Sequence, residues 1–451
     1  MCSADTFSWA KVVRTSYLFY LKLASCQLIC EDKIIMMKLV FKKKYNLIIL
    51  LLAVIIFCNS KHVHAEDNED NANINKQVST SGNFFYYGQD YGSESQFGPL
   101  NVFINVGFMF TASGIFNDPR LNKIDYQQHS VDLYYSIFEP NLDEGYYSTG
   151  GFIFLEFFPV LSVVSYPNYA LHFIGEGMLY RKLDEYFIYQ GYSSTESKWL
   201  AGITITSSQL MNEFIEARTT PRGDALADMF FNAMGIFAFS FDGFAGLFSN
   251  DNLKLLYWPG QPIIDVRDTA LYNHAETYLL RITMGNWTNS KIGVLVGAPA
   301  SGIGISLPAY YFGKDKAKND FFSIFLIGTQ KVVPSYNVQT EPIERISYVV
   351  EEDSNIEETS DNEESAGEAG LRLAWDRYGS LMSYLEFTAR DVNPKSNWSV
   401  TMNWYPSFLR IGSTSFGAFI HYGHKTESAF AITINHISLV PSYRFRSSNN
   451  Y

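Results

Sequence analysis

The sequence predicts a mixed, β-rich protein: an antiparallel outer-membrane-type β-barrel carrying a small inserted helical module. Three observations predict it. Short runs alternating apolar with polar residues fill the second half of the chain, aromatics are abundant (30 Tyr and 36 Phe), and a stretch near the middle changes to helical spacing.

The N-terminus reads as a targeting segment. Lys38, Lys42, Lys43 and Lys44 precede an unbroken apolar run of 12 residues, Leu47 to Cys58, and Val63-His64-Ala65 offers small-residue cleavage positions. A signal peptide over 36–65, cut after Ala65, is expected, because the run is too short for a comfortable membrane span. Met36 or Met37 is the natural start, and residues 1–35 read as an over-extended beginning. The expected mature chain has 386 residues and none of the four cysteines, Cys2, Cys26, Cys30 and Cys58. Thiol catalysis and cysteine metal sites are therefore excluded from it. It keeps 25 basic and 43 acidic side chains, a net charge of -18, so nucleic acid is not an expected partner.

Residues 66–82 are polar and aperiodic, a disordered lead-in by composition. Between 83 and 150, PLNVFINVGFMFT and SVDLYYSIFE fit strand or helix equally. From about 150 to 250 the spacing is helical. Pro159 and Pro167 interrupt it, and Pro221 and Gly223 mark a turn before a helix that opens on Asp224. Residues 251–451 carry the strands. In Trp398–Trp404, the residues Trp398, Val400, Met402 and Trp404 interleave with Ser399, Thr401 and Asn403. One face is apolar; it points at a core in a soluble sandwich and at lipid in an outer-membrane barrel. Strand lengths near ten residues and a terminal ISLVPSYRF segment favour the barrel, although RSSNNY follows it. A loop over 338–368 holds 11 acids and one base and reads as solvated.

The candidate site lies in the helices. Asp224, Asp228 and Asn232 recur every fourth residue and form one stripe on a helix. Glu213, Glu216, Arg218 and Arg222 precede them, and His172 and Glu176 are again four apart. Buried charge is costly unless paired, so these helices are expected to pack the set as one polar network. Structurally, the two arginines would neutralise the acids. Chemically, imidazole with carboxylates could hold a divalent metal or do acid-base work on a phosphate-bearing headgroup. No metal-binding, phosphate-loop or nucleophile motif accompanies the set, so no cofactor is expected.

His172 with Gly175, the glutamates of NEFIEA, and Asp224, Asp228, Asn232 and Gly235 in their order and spacing resemble the motif set of the VanZ-like superfamily. They are also similar to uncharacterised bacterial envelope families, among them YfiM-like lipoproteins and a family with an added C-terminal barrel. The likeness covers about 165 to 240, with Tyr278-Leu-Leu-Arg281 downstream. It implies an envelope protein without settled activity, the helices forming a plug or periplasmic-side insertion of the barrel. The function expected is binding, passing or maintaining an envelope component at the outer membrane, with lipid as partner and a lipid or small-molecule ligand. The alternatives are an envelope enzyme acting on a phosphate-bearing headgroup, and a soluble periplasmic α+β protein.

Overall fold

Helices precede strands along the chain, and the strands join mainly into one large antiparallel sheet. The structure is a computed structural model that describes residues 83–109, 121, 124–138, 171–217, 224–265, 270–283, 290–298, 300–309, 320–329, 368–390, 397–406, 410–411, 414–423, 428–434, 440–441 and 443–445. The expected signal peptide, the lead-in, Pro159, Pro167, Arg218, Arg222 and the acidic loop up to residue 367 lie outside them.

A 3-10 turn at Gly92–Gln96 leads into α1 (Pro99–Gly107), where Pro99 occupies the first turn and donates no N–H there in any case. α2 is Tyr126–Phe138. Both segments that suited strand or helix are thus helical. A π-helical turn, Leu171–Glu176, runs into α3 (Gly177–Tyr189). Gly191, at a φ of 89°, lets the chain reverse. α4 (Ser194–Glu216) opens on a capping box in which Ser193 and Glu196 satisfy each other's backbone N–H groups. α5 (Asp224–Phe239) and α6 (Asp242–Leu247) complete the module.

The sheet takes β1 (Leu253–Tyr257), β4 (Glu276–Thr283), β5 (Lys291–Ala298), β6 (Ala300–Pro308), β7 (Asp320–Thr329), β8 (Glu368–Arg377), β9 (Ser380–Arg390), β10 (Asn397–Trp404), β12 (Thr414–Gly423), β13 (Ser428–Ile434) and β15 (Tyr443–Phe445) in that order, with β11 (Arg410–Ile411) beside β12. A three-stranded sheet joins β2 (Ile263–Asp265), β3 (Ala270–Tyr272) and β14 (Val440–Pro441). Neighbours in the large sheet pair antiparallel, but β1 and β15, at its two ends, do not pair with each other among the described residues. The fold is therefore mixed and β-rich.

Register separates the two faces. Ser306 pairs with Ser323, Ser323 with Ala374, Arg372 with Glu386, Thr388 with Ser399 and Thr401 with His421, all on one face. That face curls on itself, since Arg281 of β4 reaches Asp376 of β8 across the three strands between them. Arg281 also donates to Ser306 Oγ at 3.1 Å and Ser323 Oγ at 3.2 Å, and Arg372 Nε donates to Glu386 at 2.7 Å. The segment after β1 packs into the same concavity. Trp258 Nε1 donates to the Gly379 carbonyl at 3.0 Å, Gln261 to Asn403, and Ile263 packs on Phe419 and Ala431.

The opposite face is apolar and outward. Ile303, Ile305, Phe322, Ile324, Leu326, Leu373, Phe387, Trp398, Ile420, Tyr422, Phe430 and Ile432 are all exposed on it. Among the described residues this face is covered at its first strands. There Leu255, Tyr257 and Tyr278 join Met178, Leu179, Leu183, Phe187, Ile205 and Phe239 of the helices in one core. The resemblance implies a plug or a periplasmic-side insertion of a barrel; the described helices lie against the apolar face, and Trp258, Gln261 and Ile263 enter the concave one. Helices with apolar faces bury them against an apolar partner, and the apolar side of β1 and β4 is one; the apolar residues of the concave face, Leu256, Leu279, Leu295 and Phe325, are instead packed by Trp258.

Candidate functional site

Glycines set how closely the π turn, α3 and α5 approach. A Cβ on Gly235 would meet the Phe173 carbonyl oxygen at 2.3 Å, and one on Gly177 would meet Phe239 at 2.6 Å and the Gly235 oxygen at 2.7 Å. A Cβ on Gly175 would strike the Tyr278 ring at 2.7 Å. Backbone therefore touches backbone between π turn and α5, and backbone touches an aromatic ring between π turn and β4. Gly235→Ala is expected to destabilise the protein by about 1–3 kcal/mol, because a backbone oxygen cannot swing aside. A urea unfolding midpoint checks this.

This approach brings His172 and Glu176 to different neighbours. His172 Nδ1 lies 3.1 Å from Asn232 Oδ1, and its Nε2 lies 3.5 Å from Asp228 Oδ2. An amide group thus faces one ring nitrogen and a carboxylate the other. His172, Asp228 and Asn232 are all buried.

Glu176, wholly buried, faces β4. Neither of its oxygens accepts a well-formed hydrogen bond, although the Glu276 carboxyl and the Gln209 amide stand beside it. Burial first, and then the Glu276 charge, push the Glu176 carboxyl well above the usual carboxylate range. Glu276 is wholly buried too and accepts a hydrogen bond from the Tyr278 hydroxyl. Tyr257 stands close enough for its hydroxyl to feel both carboxyls.

The structure thus assembles His172, Asp228 and Asn232 from the expected network and turns Glu176 away to Glu276 on β4. Glu213 is buried on α4, while Glu216 accepts from Asn212 Nδ2 at 3.1 Å. Asp224 begins α5, but its side chain, like Arg218 and Arg222, lies outside the described ones. Among the described residues no three His, Asp or Glu side chains gather as a metal ion requires.

Sequence reasoning did not find Glu276, Tyr278 or Gln209 as members of this cluster. The available signal was Glu276 and Tyr278 two apart in ETYLLRIT, on one face of an otherwise apolar strand. It also did not find the ion pairs that tie the N-terminal segment down. Lys182 Nζ lies 2.5 Å from Glu94, and the Glu185 carboxylate accepts from the backbone N–H groups of Phe84, Phe85 and Tyr86 at 3.0, 2.8 and 2.9 Å.

No protein-family model, curated protein or solved structure matches the chain.

Proposed function

We propose that this chain is an outer-membrane β-barrel protein that binds or maintains an envelope component, with the helical module set against its wall. One observation carries the reading: the sheet is inverted relative to a soluble protein. Leu326 is 69% exposed and Ile303 58%, while Arg281, Asp376 and Asn403 on the other face are at most 2% exposed. Exposed apolar area of this extent marks an interface. It runs from β6 across to β13, which a single protein partner would not cover but lipid would.

Among the described residues the concave face holds its own ion pairs and Trp258, Gln261, Ile263 and Asn273, which favours binding or maintenance over passage. No helix among the described residues is long and apolar enough to cross a membrane, and on this reading the strands do so. The resemblance of the His172 to Gly235 motif order to that of VanZ-like and YfiM-like proteins supports the same envelope setting. The enzyme alternative needs a headgroup to reach His172, Glu176 and Asp228, which are at most 2% exposed.

Cell fractionation with heat-modifiability tests the reading, together with Leu326→Arg. In support, the protein sediments with outer membrane and changes gel mobility on boiling, and Leu326→Arg costs about 2–4 kcal/mol in a bilayer. The reading is overturned by a soluble periplasmic protein of unchanged mobility, in which Leu326→Arg shifts stability by less than about 0.5 kcal/mol.

A further inference from the structure

We propose that Glu176 and Glu276 form a proton-binding site that clasps the helical module to the sheet, one proton shared between the two carboxyls holding the joint shut. The inference stands whether or not the strands cross a membrane.

The geometry asks for that proton. Glu176 closes the π turn and Glu276 opens β4, so the pair spans the boundary between helices and sheet. Both side chains are wholly buried. Two ionised carboxylates side by side, sealed from water, would repel each other, and buried charge that is not fully compensated costs several kcal/mol. A single proton turns the repulsion into a hydrogen bond between a carboxylic acid and a carboxylate.

The neighbours do not replace it. From β4, the Tyr278 hydroxyl already donates to Glu276. From β1, Tyr257 adds a neutral phenol. From α4, Gln209 is neutral, buried, and makes no well-formed hydrogen bond of its own. On the π turn itself, positive charge on His172 would act on Glu276, but the ring is shared with Asp228 and Asn232 of α5 and makes no contact with Glu176 that could stand in for the proton. Gly175 lies directly against the Tyr278 ring, so the two elements meet in close contact beside the pair. The joint has a closed, one-proton state and an opened state.

The sign follows. Glu176 binds its proton more tightly folded than unfolded, so the clasp is complete below the ordinary carboxylate range and weakens as pH rises toward the folded value. His274, whose burial pulls it down to about 4, acts oppositely: its contribution is complete above the ordinary imidazole range and is lost as pH falls from there through about 4. The Glu276→Gln variant keeps His274 and so isolates the carboxyl limb.

The experiment uses the full chain in detergent or lipid. Infrared difference spectra at neutral pH should show a carboxylic-acid C=O band that disappears in both Glu176→Gln and Glu276→Gln. Protease cleavage within the helical module, measured relative to Glu276→Gln at the same pH, should rise about tenfold per pH unit once the shared proton is lost. Should a glutamine variant fail to fold, the wild-type band alone decides, since it must vanish over the pH range in which cleavage accelerates. A protein with no acid band at neutral pH, or whose cleavage tracks that of the variants at every pH, overturns the proposal.

Discussion

Asp376→Ala is expected to destabilise the protein by on the order of 3–5 kcal/mol, because it strands the Arg281 guanidinium in a wholly buried position. Arg281 is 2% exposed and Asp376 0%. The carboxylate accepts from both Nη atoms, one bond being 2.9 Å, and Ser306 and Ser323 take the rest of the fork. Removing the acid leaves two serine hydroxyls, which accept hydrogen bonds but supply no charge. The double variant Arg281→Met with Asp376→Leu should lose far less than either single change, since desolvating an ion pair consumes most of what its attraction returns. A double-mutant cycle on urea or thermal unfolding checks both statements. If Asp376→Ala costs no more than the double variant, the pair is not the cross-brace the geometry makes it.

Glu185→Ala is the second large effect, on the order of 4 kcal/mol, because three backbone N–H groups lose their acceptor and each buried orphan costs about 1–3 kcal/mol. Phe84, Phe85 and Tyr86 all donate to this one carboxylate from about 100 residues away in sequence, and Arg181 Nε braces it at 3.0 Å. Those hydrogen bonds hold the buried Phe85 and Tyr86 against Phe239 and Tyr186. Loss of the carboxylate should therefore free residues 83–97 before the helices melt. Hydrogen exchange should show protection lost first at Phe84 to Tyr86. Glu185→Gln, which keeps one acceptor oxygen, should fall between the two. A uniform loss of protection across α3 and α4 would mean that the segment and the helices unfold as one unit.

Much of the sheet was legible because strand periodicity is a local property. Trp398, Val400, Met402 and Trp404 alternate with Ser399, Thr401 and Asn403 in the sequence, and the register places the first set on the apolar face and the second on the polar one. The helical polar stripe was legible for a similar reason, and His172 does meet Asp228 and Asn232. Short elements were not. Leu253–Tyr257 went unread as a strand because its apolar run, LKLLY, lacks alternation, being buried on both faces. α1 was ambiguous because nine largely apolar residues carry too little period to decide.

What the sequence determined by itself is the chemistry of each face: alternation separates apolar from polar residues on every long strand, and four-residue spacing gathers acids and amides on the helices. Which apolar face meets water, lipid or another element is not local, and only the tertiary structure decided it. It set the helices against the apolar side of β1 and β4 and closed the polar concavity with Arg281, Asp376 and the segment after β1. It also chose the partner of Glu176. The residue that faces it is Glu276, a hundred positions away on a strand, because glycines at 175, 177 and 235 let the π turn press against both α5 and Tyr278. No spacing rule in the sequence joins those two acids; the close approach of backbone to ring does.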